Sequence, residues 1–184
     1  ETRHQALEIQ QVLRKKSSLK NIRWTRPEGF HITLKFLGRV PLEDVLYIAQ
    51  QLSIVAQGCW PTQIQLDRLN FFPSLQRPRV LLWGTNQNSI SPELRAIHFH
   101  VQEALQLLGY EKEDRPFHPH VTLGRIEEGV NPLPLGEIIK KLDASVNAEI
   151  PIKQFDLMES HLHPEGAIYE SLAEIQIEPK QPNV

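Results

Sequence analysis

Two histidines in this chain are each followed, two residues on, by a threonine: His31 and Thr33 within "FHITLKFLG" (30–38), and His120 and Thr122 within "HPHVTLGRI" (118–126). Side chains at i and i+2 of a strand share a face, so each stretch would present an imidazole beside a hydroxyl. An imidazole gives or takes a proton near neutral pH, and a hydroxyl hydrogen-bonds an oxyanion. Two such strands facing one another would form a four-point clamp. A phosphodiester needs those parts: a base for the attacking oxygen, an acid for the leaving oxygen, and donors for the non-bridging oxygens. General acid and general base are each worth about 10²–10⁴ in rate, and the hydroxyls supply the oxyanion donors without a metal. Residue types alone leave open which histidine is acid and which is base. Eight histidines and six threonines among 184 residues give about a quarter of one such pair by chance, so two copies in matching surroundings carry information.

The elements that would position these residues repeat. Residues 3–16 place Ala6, Ile9 and Leu13 at helical spacing, and a strand is predicted from about Phe30 to Leu37, with Ile32, Leu34 and Phe36 opposite His31 and Thr33. Pro41 opens a helix with Glu43 and Asp44 in its first turn, Val45, Ile48, Leu52 and Val55 on one face, and Gly58 beyond its end. Strands over 62–70 and 79–84 follow. In the second half, Ser91 and Pro92 start a helix with Leu94, Ile97, Val101, Leu105 and Leu108 inward. The second His-x-Thr strand, a short helix near 134–142 and two long strands near 150–162 and 167–177 complete it. With His31 and His120 lying 89 positions apart, this reads as two related lobes around a cleft. A strand precedes the second half's first helix but none precedes residues 3–16, so an N-terminal strand is expected to be missing.

The totals bound the remaining classes. A chain of 184 residues can bury a substantial core in one domain or two packed lobes. Cys59 is alone, which excludes an intramolecular disulfide and thiolate zinc sites and points to a reducing cytoplasm. No segment has the length and apolarity of a membrane span or a signal peptide. With 20 basic and 22 acidic side chains, a long electrostatic track along nucleic acid is not expected, whereas a small phosphate pocket is.

The stretches "WTRPEGFHITLKFLG" (24–38), "RPFHPHVTLGRI" (115–126) and "LMESHLHPEGAIYESLAEIQI" (157–177) resemble the 2H phosphoesterase superfamily, and within it the RNA 2′,3′-cyclic phosphodiesterases, also called 2′-5′ RNA ligases (LigT-like). The resemblance implies an α+β fold. It would be a single bilobed domain over 1–184, with two pseudo-symmetric lobes, each an antiparallel sheet with flanking helices, around a central cleft. It further implies hydrolysis of a terminal 2′,3′-cyclic phosphate on RNA or an oligonucleotide to a 2′-phosphate, without metal or other cofactor, with reversible 2′-5′ ligation as a related reaction. Carried over by position, His31 is the proton donor to the leaving 3′ oxygen and His120 the base that activates water. Thr33 and Thr122 hold phosphate oxygens, and Arg125 matches a phosphate-contacting position. A monomer in the cytoplasm, off the membrane, is the expected state.

Simple alternation points Arg125 away from His120, and Gly124 is where a bulge could turn it inward. Lys35 shares the predicted face of His31 and Thr33 and could snorkel to the cleft rim. Gly29 takes a position where the family often has asparagine. The pairs His98/His100, His118/His120 and His161/His163 raise a zinc reading. His98 and His100 fall in a predicted helix, where i and i+2 diverge. His161 and His163 fall at a hairpin end, and His118 is expected to shape the strand's entry. Trp24, Phe30, Phe71, Phe72 and Phe117 are expected to be mostly core, with a base-stacking platform as the other use. Arg77 and Arg79 could guide a phosphate backbone or be solvated. Hydrolysis of 2′,5′-linked oligonucleotides or of a nucleotide cyclic phosphate, and non-catalytic binding of RNA ends, are the competing functions.

Overall fold

The computed structural model describes residues 2–16, 21–128, 133–142, 146–163 and 166–178. Helix α1 (Thr2–Lys16) leads to a short strand β1 (Ile22–Trp24), helix α2 (Leu42–Gln57), and strands β2 (Thr62–Leu66), β3 (Arg68–Phe72) and β4 (Val80–Gly84). Then come helix α3 (Pro92–Leu107), β5 (His120–Ile126), α4 (Leu133–Leu142), β6 (Ala148–Ile152) and the long hairpin β7 (Gln154–His163) and β8 (Gly166–Gln176). Every strand pairing is antiparallel. The order β1-β5-β4-β3 makes one four-stranded sheet, and β2-β6 and β7-β8 are two-stranded. Among the described residues no helix is long and apolar enough to cross a membrane.

Helix starts follow their sequence signals. Pro41 takes the N-cap position of α2, and the Ser91 hydroxyl accepts from the Leu94 amide at 3.1 Å, capping α3 with Pro92 at its first position. Strand limits depart from expectation at two places. The predicted 62–70 strand breaks at Asp67, whose amide donates to Gly84 O at 3.0 Å. There the chain switches sheets, since β2 pairs with β6 and β3 with β4. The predicted strand at Phe30–Leu37 is an extended segment joined to β5 through a single bridge, Ile32 to Val121. Beyond Ile32 its groups turn to the loop after α3 instead of a ladder: Lys35 donates to Glu111 O and the Phe36 amide to Glu113 Oε1. Phe36, expected to face inward, is consequently 74% exposed. Strand β1, which the sequence pattern did not reveal, pairs with β5 ahead of that segment.

Two apolar cores result. One joins α1 and α4 to the four-stranded sheet and β2-β6 through Ala6, Leu13, Leu81, Trp83, Leu123 and Leu135. The other joins α2 and α3 to β7-β8 through Ile48, Leu52, Ile97, Leu105, Phe155 and Ile175. Each core therefore draws helices from both halves of the chain.

Candidate active site

Ile32 and Val121 are the middle residues of the two His-x-Thr triplets, and they bridge each other. Continuing this antiparallel pairing by one residue each way sets His31 opposite Thr122 and Thr33 opposite His120. Val121 is buried and Ile32 packs against the same core, so all four polar side chains share the other face. The motifs thus meet about a local pseudo-twofold axis. The chain reaches this arrangement by leaving β5 after Thr25, whose amide donates to Leu123 O at 3.0 Å. It loops through a 3-10 turn at Pro27–Gly29 and returns to β5 at Ile32.

Both imidazoles are fixed in the same way. Nδ1 of His31 lies 2.8 Å from Gly29 O, and Nδ1 of His120 lies 2.7 Å from His118 O. A carbonyl only accepts, so each Nδ1 carries the proton and donates, leaving Nε2 as the nitrogen able to exchange a proton. Burial, the largest influence, lowers the pKa of His120 below the ordinary 6.5; the bond to the His118 carbonyl opposes this, and His118 and His31 push the same way as burial. His120 therefore favours its neutral, proton-accepting form. The ring of His31 meets Tyr169 of β8 edge-on, with centroids 4.5 Å apart.

Arg125 reaches the same face through a bulge. The β4-β5 register runs Gly84 to His120 and Leu82 to Thr122, then Leu81 to Gly124 and Val80 to Arg125, passing over Leu123. Val80, Leu82 and Gly84 share a face by alternation, and paired residues point the same way. His120, Thr122 and Arg125 therefore lie on one face, whereas Leu123 and Gly124 are both buried. The same rows continue to Arg23 on β1 and, through Val80, to Phe72 on β3. Phe72 is 48% exposed, so this face carries an aromatic shelf two strands from Arg125.

Lys35 is directed elsewhere: its ammonium donates to Gln102 Oε1 at 2.7 Å. Gln102 is a buried polar residue of α3, and its amide is 3.2 Å from His98 Nε2. The His98 ring stacks on Phe117 at 4.1 Å, and burial lowers its pKa. His118 Nδ1 accepts from Gln87 Nε2 at 2.6 Å while its carbonyl holds His120. His161 lies 3.6 Å from both Glu159 and Glu170, and their ligand atoms fall within 4.8 Å of one another at the exposed hairpin end. Tyr169 pairs with Ser160, between Glu159 and His161, so that cluster occupies the hairpin face opposite Tyr169. Of the five aromatics, Phe30 and Phe71 are buried, and Trp24 and Phe117 pack against the first core. Tyr169 and Gln102 were not foreseen. A tyrosine in a long strand and a glutamine in a helix carry no local signal, because their roles depend on distant partners.

The chain matches the family model of LigT-like phosphoesterases over residues 1–82 and 86–169. An RNA 2′,3′-cyclic phosphodiesterase of Archaeoglobus fulgidus is 32% identical over 164 residues, 89% of each chain. That of Bacillus subtilis is 28% identical over 169 residues, covering 92% of this chain and 88% of the relative. Among solved structures, TT0787 of Thermus thermophilus superposes with a TM-score of 0.78 at 21% identity, over 98% of this chain and 93% of the other. Escherichia coli LigT complexed with 3′-AMP gives 0.70 at 24% identity, over 95% and 90%. These two likenesses bear on the fold.

Proposed function

Because the chain belongs to the LigT-like phosphoesterase family, we propose that it is an RNA 2′,3′-cyclic phosphodiesterase that opens a terminal 2′,3′-cyclic phosphate to a 2′-phosphate. Curated relatives of that name along nearly the whole chain support the activity. The observation that carries the mechanism is the Ile32-Val121 bridge, about which two Nδ1-anchored imidazoles and two threonines face one site. Neutral His120 takes a proton through Nε2 from water as its oxygen attacks phosphorus. The bond from phosphorus to the 3′ oxygen breaks in line, and Nε2–H of His31 protonates the departing oxygen, giving a 3′-hydroxyl and a 2′-phosphate. The lowered pKa of His120 supports this direction. Thr33, Thr122 and Arg125 hold the non-bridging oxygens as charge moves onto them. The Leu82–Val80–Phe72 strip offers an apolar wall for the terminal nucleoside. A 5′-hydroxyl in place of water gives 2′-5′ ligation with the same groups in the same roles.

Turnover of a nucleoside 2′,3′-cyclic phosphate by the wild-type chain and the His31→Ala and His120→Ala variants tests this. Loss in both variants is expected; full activity in either removes the acid/base assignment. Tight binding of RNA ends without turnover in the wild type would instead mark a binding module.

A further inference from the structure

The bulge that brings Arg125 onto the working face needs something to hold it, because Leu123 has no partner on β4. Gln10 of α1 meets this need from within the first core. Its side-chain nitrogen donates to Leu123 O at 2.7 Å and to Thr25 O at 2.8 Å, and the residue is only 1% exposed. Leu123 is the bulged residue of the second motif's strand. Thr25 is the last residue paired to β5 before the chain loops toward Gly29, whose carbonyl fixes His31. One amide thus ties together the backbone points from which both motifs depart. The two carbonyls also fix the amide's orientation, since the reverse would set oxygen against oxygen. Its Oε1 is left buried with no partner among the described residues. A buried unsatisfied oxygen is a cost to stability that an apolar side chain of similar length would not carry.

We propose that Gln10 is a positioning residue whose amide holds the Leu123 bulge, and through it Arg125, in register with His120 and Thr122. The inference rests on the phosphodiesterase reading only for its kinetic test. Gln10→Met keeps length and apolar packing, removes both donors, and removes the orphaned oxygen. It is expected to change thermal stability little, the carbonyls that lose their donor offsetting the removed orphan oxygen, while raising KM for a 2′,3′-cyclic nucleotide about tenfold, with an unchanged pH profile. In an Arg125→Ala background the same change is expected to raise KM less than twofold further, because the contact it positions is already gone. Gln10→Leu, apolar and likewise without donors, is the second variant should the first not fold. Amide hydrogen exchange over residues 122–126, read without substrate, should quicken in either variant. Wild-type KM, a full multiplicative loss in the Arg125→Ala background, or unchanged exchange would overturn the proposal. Absence of turnover in the wild type would instead sink the functional reading, and the exchange measurement would still decide the role of Gln10.

Discussion

His31 and His120 share an anchor, a carbonyl two residues upstream at 2.8 and 2.7 Å, and burial, the largest of several influences, lowers the pKa of His120. Removing either imidazole is expected to lower kcat by at least about 10², or about 2.7 kcal/mol of barrier, measured under saturating cyclic nucleotide. If His120 is the proton acceptor, its pKa below 6.5 places the acid limb of kcat/KM below that value, and a limb at or above it would contradict the assignment. The same shift bears on stability. Above 6.5 neither folded nor unfolded His120 is protonated. As pH falls through this value the unfolded chain takes the proton first, so stability declines toward the folded pKa. Urea midpoints at pH 7.5 and pH 5.5 should therefore differ less in His120→Gln than in wild type. The His-x-Thr pairs were legible in the sequence because they are local, while the bias at His120 depends on packing that no local pattern encodes.

The bulge in β5 decides where Arg125 lies. Strict alternation sends it into the core, and a glycine in the strand only marks where alternation can fail; the register itself depends on β4, 36 to 45 positions upstream in sequence. Gly124 serves a further purpose. A methyl group there would meet Ile22 Cγ2 at 2.9 Å and Arg23 O at 3.3 Å, the latter a backbone atom. Gly124→Ala should push β1 from β5 and cost about 1–3 kcal/mol, read as a lower denaturant midpoint. Wild-type stability would mean that β1 yields freely. The loss of the predicted Phe30–Leu37 strand has a related cause. Its apolar alternation is real, but an extended segment becomes a strand only where neighbours accept its backbone, and β5 meets it only at Ile32.

At the scale of the molecule, the repeated halves were legible, and which helices share each core was not. The order of helices and strands shows that a pattern recurs, while the packing of α1 with α4 and of α2 with α3 is a choice between similar amphipathic faces. Because each core takes helices from both halves, we propose that the described residues unfold as one unit. Leu13→Ala in the first core and Ile48→Ala in the second, both fully buried, should each cost about 2–5 kcal/mol and move one calorimetric transition; two separable transitions would contradict this. The proposed reaction is tested by turnover of a short RNA ending in a 2′,3′-cyclic phosphate, with EDTA present, separating 2′-phosphate from 3′-phosphate product. Only 2′-phosphate is expected, as required if the 3′ oxygen is the one protonated. Formation of 3′-phosphate, or no product at all, would contradict it.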